Sequence, residues 1–160
     1  MKDERCSIPM TEKLFDTLHQ RHLTLAAAES MTGGLIADAF IRLPGASGVF
    51  YGSAVTYTDE AKHRVLKVRK DLLKRYTAVS AACARAMAHG AKAIFETDYA
   101  LATTGYAGPE GQDVGLCYIA LATPTQIKVR RVHLRGNRNA NRRMAVLVAL
   151  NMLQQELKGS

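Results

Sequence analysis

The chain has 160 residues and a mass of 17.5 kDa, which is enough for one domain with a substantial hydrophobic core. Apolar residues make up 48% of the sequence and charged residues 22%, which excludes a disordered or fibrous chain. The net charge of +8 favours an anionic partner, such as nucleic acid, a membrane surface or a phosphorylated metabolite, unless it only reflects a solvated basic surface.

Signals for helix and strand alternate along the chain, which is typical of an α/β layered fold. Residues 11–22 follow Pro9 and predict an amphipathic helix. Residues 23–28 are short and apolar and predict a buried strand, although their alanines favour helix. A second helix is expected to start near Thr32 and to end at residues 43–45. Ser30 is therefore expected at a turn between a strand and a helix.

The middle of the chain continues this alternation. Residues 52–57 predict a strand, and residues 59–68 are expected to begin with a short helix. Residues 80–95 predict a long helix, and residues 99–103 predict a second buried strand. One face of the long helix is expected to hold Cys83, Met87, Gly90 and Ile94.

The last third predicts a hairpin and a closing helix. Residues 115–122 and 126–134 flank a Thr-Pro-Thr turn, as in a β-hairpin. The apolar positions change phase in the second arm, which predicts a bulge near Arg130 and Arg131. Residues 139–157 predict a helix. Its inward residues are expected to be Val146, Leu150, Leu153 and Leu157.

The N-terminus is charged and no apolar run approaches the roughly 18 residues of a membrane span, so we expect neither a signal peptide nor a membrane partner. The three cysteines, Cys6, Cys83 and Cys117, show no CxxC spacing. This odd set disfavours a disulfide framework and a metal cluster, and it fits a reducing cytoplasm. The histidines show no metal-ligand spacing, so no metal site is predicted.

Three turns follow predicted buried strands, where ligands bind in open α/β sheets. In the first, residues 30–34 read Ser-Met-Thr-Gly-Gly. Its backbone N–H groups could hold a phosphate or an oxyanion, or Ser30 or Thr32 could simply cap the helix. The second turn holds Tyr57 and Lys62. A lysine near a hydroxyl can act as a base if burial lowers its pKa, but an exposed lysine is the commoner case.

The third turn, residues 103–111, contains three glycines and a proline and could line a ligand pocket or serve only as a connection. Arg138 enters the last helix and could contribute to an anion site. For Arg142 and Arg143, one turn further on, a solvated basic face is the stronger expectation.

Taken together, these segments resemble the CinA C-terminal domain family, the nicotinamide-nucleotide amidohydrolases. The resemblance covers roughly residues 23–157. The matching motifs, in chain order, are AAESMTGGLIA, VTYTDEAKHRVLKV, TAVS, TTGYAGPEG, VGLCYIALA and RGNRNANRR. The resemblance implies a three-layer α/β/α fold with a mixed sheet and helices on both of its faces. Longer members of the family carry an N-terminal molybdopterin-binding-like domain; this chain is too short for one, so we expect the stand-alone form. The resemblance also implies association into homo-oligomers.

The activity implied by the resemblance is hydrolysis of the carboxamide of nicotinamide mononucleotide (NMN) in pyridine-nucleotide salvage, without a metal or organic cofactor. Ser30 would be the nucleophile, and Lys62, assisted by Tyr57, would take up its proton and later protonate the leaving ammonia. The other residues expected to contact the nucleotide are Thr32, Gly33 and Gly34 for the oxyanion and phosphate, Thr104, Gly105, Gly108 and Pro109 for the pocket, and Arg138 for the phosphate.

The sequence also departs from the family pattern. Met31 replaces a cysteine, Asn137 replaces an aspartate, and the segment between Gly108 and Val114 is short. Two residues of the glycine loop differ as well, namely Thr104, which replaces serine, and Tyr106, which replaces isoleucine. An alternative hypothesis is therefore a degenerate homologue that binds a nucleotide without turning it over. A nucleic-acid-binding module is disfavoured, because the chain has no such motif, no tryptophan and only 6% aromatic residues.

Overall fold

A computed structural model describes the backbone of residues 2–160 and the side chains from Ser7 onward. The strands of its sheet are β1 (Leu25–Glu29), β2 (Phe50–Val55), β3 (Tyr99–Gly105), β4 (Leu116–Ala122) and β5 (Ile127–His133). The helices of the described residues are α1 (Lys2–Gln20), α2 (Leu35–Ile41), α3 (Asp59–Leu66), α4 (Lys70–Tyr76), α5 (Ala81–Phe95) and α6 (Arg138–Gly159), with a short 3₁₀ helix at Ala46–Gly48.

The five strands form one mixed sheet in the order β2-β1-β3-β4-β5. The first three strands are parallel, whereas β4 runs antiparallel to both β3 and β5. Helices α1, α2 and α6 cover one face, and α3, α4 and α5 cover the other. This confirms the expected three-layer α/β/α architecture. Within the described residues, no helix combines the length and apolar character needed to cross a membrane.

Burial on both faces explains why the alanine-rich segment is a strand. β1 lies between β2 and β3. Ala27 packs in the core beneath α2 and α6, whereas Ala28 packs in the core beneath α5. A central position in the sheet therefore overrides the helix propensity of alanine.

Two helices begin at positions other than those predicted. α1 begins at Lys2 and contains Pro9, and the Thr11 hydroxyl donates a hydrogen bond to the Ser7 carbonyl (2.8 Å). α2 begins at Leu35 rather than near Thr32, because Gly33 and Gly34 have positive φ angles of 58° and 100° that a helix does not allow. The predicted signals also missed α4, a polar helix that buries Leu73.

The predicted bulge is wrong, because the pairing of β4 and β5 is continuous from Leu116–His133 to Ala122–Ile127. The change of apolar phase has another cause. Val129 packs against the core on the α5 side, whereas Val132 packs against the core on the α6 side. Since helices cover both faces of the sheet, odd and even positions of one regular strand can both be apolar.

The predicted core of the long helices is confirmed except at one position. Cys83, Met87 and Gly90 of α5 are buried, but Ile94 is 46% exposed because it lies near the end of the helix. The four inward residues of α6 are all buried, namely Val146, Leu150, Leu153 and Leu157.

Gly90 lets α5 approach α3 closely. A Cβ atom at this position would lie 2.2 Å from the backbone oxygen of Leu66. We expect Gly90→Ala to lower the free energy of unfolding by about 1–3 kcal/mol, because backbone cannot yield as a side chain can. Urea denaturation measures this change. Gly48→Ala is the matched control, since nothing lies within 4 Å of its Cβ position. Equal stability of the two variants would contradict the close approach.

Candidate active site

The turn after β1 places Ser30 at the carboxyl end of the parallel strands. The Ser30 N–H donates to the carbonyl of Thr103 (3.1 Å), and the Gly33 N–H donates back to the carbonyl of Ser30 (3.1 Å). Ser30 is only 8% exposed. These bonds hold a compact turn that presents the serine hydroxyl at the edge of the sheet, where ligands of open α/β sheets bind.

Lys62 lies on α3 and reaches back to this serine. Its Nζ donates hydrogen bonds to Ser30 Oγ (3.0 Å) and to the carbonyl oxygen of Thr56 (2.9 Å). The residue is only 2% exposed. Burial lowers the pKa of Lys62 below its usual value of 10.5, and the electrostatic effects of Cys83 and Asp59 oppose this only in part. A buried amine of this kind is suited to accept the proton of a serine hydroxyl.

Tyr57 has a different partner from the one expected. It is 60% exposed, and its hydroxyl accepts a hydrogen bond from Arg138 Nη2 (2.8 Å). Arg138 Nη1 donates to the carbonyl of Gly108 (2.6 Å). In the described part of the chain, no hydrogen bond joins the Tyr57 hydroxyl to Ser30 or Lys62. Tyr57 and Arg138 thus form a second group, which joins the loop after β2 to the glycine loop after β3.

The glycine loop contributes mainly through its shape. A Cβ at Gly105 would lie 2.7 Å from Met31 Sδ and 2.4 Å from Cys117 Cβ, so glycine makes room for the methionine beside Ser30. Gly108 has a φ of 100° and precedes Pro109 through a cis peptide bond. The carbonyl of Gly108 accepts the hydrogen bond from Arg138 and so belongs to the group formed by Tyr57 and Arg138.

The two predicted threonines are buried and bonded to the protein itself. The Thr104 hydroxyl donates to the carbonyl of Ala78 (2.7 Å), which anchors β3 to the segment before α5. The Thr32 hydroxyl donates to Glu29 Oε1 (2.8 Å) and also bonds the Thr103 hydroxyl (2.8 Å). Both hydroxyls therefore support the walls of the site.

Glu29 supports the turn from below, a role that the sequence analysis missed. The residue is fully buried. Besides Thr32, its carboxylate accepts hydrogen bonds from the Ser53 hydroxyl (2.7 Å) and from the N–H groups of Ile36 (2.8 Å) and Ala37 (3.3 Å) at the start of α2. A carboxylate next to an apolar strand was a usable signal, because buried acids are rare unless they are paired.

Arg142 is the second residue that the sequence analysis missed. Its Nε donates to the carbonyl of Met31 (2.8 Å), and its Nη2 donates to the carbonyl of Thr32 (3.1 Å). The expectation of a solvated basic face is therefore wrong for Arg142. The signal lay in its spacing, since residues four apart, here Arg138 and Arg142, lie on the same face of a helix.

The start of α6 is fixed by two asparagines. Asn137 caps the helix, because its side-chain oxygen accepts a hydrogen bond from the Ala140 N–H (2.9 Å). Asn141 is buried and donates to the carbonyls of Ala107 (3.0 Å) and Gly136 (2.9 Å). Asparagine thus performs the capping that an aspartate at position 137 would also perform.

A model of the CinA C-terminal domain matches residues 7–157. The chain belongs to the CinA C-terminal domain family. A putative competence-damage inducible protein of Caldanaerobacter subterraneus is 42% identical over 154 residues, which are 94% of this chain and 37% of that protein. A CinA-like protein of Geobacter metallireducens is 45% identical over 139 residues, covering 84% of this chain and 34% of that protein. The chain therefore spans little more than a third of the length of these curated relatives.

Solved structures of CinA proteins share the whole fold. The crystal structure of competence damage-inducible protein A from Klebsiella pneumoniae has a TM-score of 0.92 at 34% identity, covering 95% of this chain and 97% of that chain. The competence/damage inducible protein CihA from Agrobacterium tumefaciens has a TM-score of 0.91 at 33% identity, covering 95% of both chains. The fold of this CinA domain thus extends to proteins that differ at about two thirds of their positions.

Replacing Lys62 with methionine is expected to stabilise the fold near neutral pH. Burial lowers the pKa of Lys62 in the folded chain, so the unfolded chain binds this proton more tightly. The contribution of Lys62 to stability therefore increases as the pH rises from the lowered pKa to about 10.5. We expect Lys62→Met to be most stabilising at neutral pH and less so as the pH rises.

Urea denaturation over a series of pH values tests this as the difference between the variant and the wild type. The difference is needed because burial also raises the pKa of Cys83 to about 11, which lowers stability at high pH in both proteins. Lys74→Met, at an exposed lysine, is the matched control. A difference that does not vary with pH would contradict the lowered pKa.

Proposed function

We propose that this CinA domain is a nicotinamide-nucleotide amidohydrolase, which converts NMN and water to nicotinic acid mononucleotide and ammonia. One observation carries the proposal: the buried amine of Lys62 lies 3.0 Å from the hydroxyl of Ser30. The names of the relatives refer to competence and damage and state no reaction. The proposal therefore rests on the chemistry of this pair and on the motifs that resemble those of the amidohydrolases.

In the first half of the reaction, Ser30 Oγ attacks the carbon of the carboxamide. The neutral amine of Lys62 takes up the hydroxyl proton as the oxygen–carbon bond forms. The tetrahedral intermediate then collapses, the carbon–nitrogen bond breaks, and the Lys62 ammonium returns the proton to the leaving ammonia. The product of this half is an ester between Ser30 and the nicotinate group.

In the second half, water attacks the ester carbonyl while Lys62 takes up one of its protons. The ester bond breaks, Lys62 returns the proton to Ser30 Oγ, and nicotinic acid mononucleotide leaves. A single base can serve both halves because it is neutral at the start of each. The lowered pKa of Lys62 favours this neutral state, since burial disfavours the ammonium.

The turn around Ser30 offers donors for the oxyanion of the two tetrahedral intermediates. The Gly33 N–H is already bonded to the carbonyl of Ser30. In the described part of the chain, the N–H groups of Met31, Thr32 and Gly34 take part in no hydrogen bond. Donors of this kind stabilise the charge that develops in the transition state. The exposed guanidinium of Arg138 is the cation we assign to the phosphate.

The alternative, a homologue that binds a nucleotide without turnover, rested on Asn137 and on the short loop after Gly108. The capping by Asn137 weakens this alternative. Arg138 is oriented by Gly108 and Tyr57, so its position does not depend on a charge at residue 137. Because the reactive pair is intact, we favour the enzyme.

Ammonia release from NMN by the wild type and by Ser30→Ala tests the proposal. We expect steady release by the wild type and a loss of at least about 1,000-fold in the variant, because the nucleophile is removed. Ser47→Ala, at an exposed serine of the 3₁₀ helix, is the matched control and should keep full activity. Ammonia release that persists in Ser30→Ala would contradict the assigned nucleophile, and no release by the wild type would contradict the activity.

Tyr57→Phe separates two roles for the tyrosine. Its hydroxyl bonds Arg138, so we expect the loss of the hydroxyl to loosen Arg138 and to raise KM several-fold, with a smaller effect on kcat. Initial rates over a range of NMN concentrations give the two constants. A large fall in kcat at unchanged KM would instead assign Tyr57 to the proton transfer with Lys62.

A further inference from the structure

We propose that Arg142 is a positioning residue of this site, which holds the peptide groups on either side of Thr32 and so aims the Thr32 N–H at the oxyanion. The kinetic part of this inference rests on the proposed function. The structural part does not, because it concerns only how the turn at residues 30–34 is held.

The guanidinium of Arg142 holds two successive carbonyls. Nε donates to Met31 O (2.8 Å) and Nη2 donates to Thr32 O (3.1 Å). In a trans peptide group, the N–H points away from the carbonyl of the preceding residue. The bond to Met31 O therefore turns the Thr32 N–H away from Arg142, and the bond to Thr32 O turns the Gly33 N–H away as well.

The N–H groups of Gly33 and Thr32 differ in their hydrogen bonding. The Gly33 N–H donates to the carbonyl of Ser30 (3.1 Å), which closes the turn. The Thr32 N–H takes part in no hydrogen bond of the described residues, although Thr32 is fully buried. Since buried N–H groups are nearly always paired, this donor is available to an oxygen of the substrate held at Ser30.

The opposite side of the turn is held independently. The Thr32 hydroxyl is bonded to the buried carboxylate of Glu29 (2.8 Å) and to the Thr103 hydroxyl (2.8 Å). The guanidinium lies so close to Gly33 that a Cβ there would be 3.0 Å from Nη2. Thr32 O also accepts a hydrogen bond from the Leu35 N–H (3.1 Å), whereas Arg142 is the only partner of Met31 O among the described residues. The removal of Arg142 therefore frees the peptide group between Met31 and Thr32, which carries the Thr32 N–H, to rotate.

Arginine is suited to this task because its planar guanidinium presents several donors in a fixed geometry. Lysine carries a single ammonium on a flexible chain. Arg142→Lys should therefore hold one carbonyl at a time and restore only part of the function. Arg143 provides a matched control, since it is the next residue of α6 and instead lines a cleft between α1, α2 and α6.

Hydrogen exchange measured by mass spectrometry tests the structural part. We expect the backbone of residues 30–34 to exchange about 10-fold faster or more in Arg142→Ala than in the wild type or in Arg143→Ala. Should Arg142→Ala not fold, Arg142→Lys gives the same comparison with the charge retained. Unchanged exchange overturns the proposal, whether or not the protein hydrolyses NMN.

Steady-state kinetics of ammonia release test the catalytic part. We expect kcat of Arg142→Ala to fall by about 10- to 100-fold with KM within about 3-fold of the wild type, since the loss of one oxyanion donor costs about 100-fold or more. Arg142→Lys, or guanidinium ions added to Arg142→Ala, should restore part of kcat. Arg143→Ala should behave as the wild type.

The outcomes are distinguishable. Faster exchange with an unchanged kcat overturns the positioning role, because the geometry of the turn would then not matter to the reaction. An equal fall of kcat in Arg142→Ala and Arg143→Ala also overturns it. A wild type that releases no ammonia contradicts the proposed function alone, and the exchange measurement still decides whether Arg142 holds the turn.

Discussion

The hydrogen bond between the buried amine of Lys62 and the hydroxyl of Ser30 is the interaction on which the rest of the site depends. Lys62 also donates a hydrogen bond to the carbonyl of Thr56, and neither of these two bonds goes to a carboxylate. Burying an amine costs stability, and Asp59 offsets this cost only in part, so the surrounding fold must impose the position of Lys62. The cap of α3 at Thr58 and the close approach of α5 at Gly90 do so, because both fix the helix that carries Lys62.

The start of α6 brings together segments that are far apart in the sequence. Arg138 contacts the loops after β2 and β3, Asn141 contacts Ala107, and Arg142 contacts the turn after β1, more than 100 residues away in the chain. Three loops from three neighbouring strands therefore meet at one helix end. Catalytic groups on loops need rigid support to keep a productive geometry. In this domain that support comes from side chains of α6 that bond backbone carbonyls and the Tyr57 hydroxyl.

Local patterns in the sequence predicted the layers and nearly every element. Intact motifs also singled out Ser30 and Lys62, which the structure brings within 3.0 Å of each other. These signals did not predict contacts between a side chain and groups that are distant in the sequence. Arg142 is polar and follows Arg138 by one turn, but its pattern does not reveal the carbonyls that it meets. The same limit explains the wrong bulge in β5, where Val129 and Val132 face different cores. Glu29 was overlooked for the same reason, since its partners are two hydroxyls and two backbone N–H groups that come together only in the fold.

These contacts show where two of the positive charges of the chain lie and how they are held. Arg138 and Arg142 are bonded to carbonyls, to an asparagine and to a tyrosine hydroxyl, and the ion pairs of the described residues include neither of them. Their charges are thus oriented but not neutralised by acids. Arg142 bonds the turn that follows Ser30, and Arg138 joins the two neighbouring loops. Two such cations at this edge of the sheet favour negative charge there, both on a bound phosphate and on an oxygen that becomes anionic in the proposed reaction. The arrangement that positions the turn therefore also supports, on electrostatic grounds, the proposal that the domain acts on an anionic substrate.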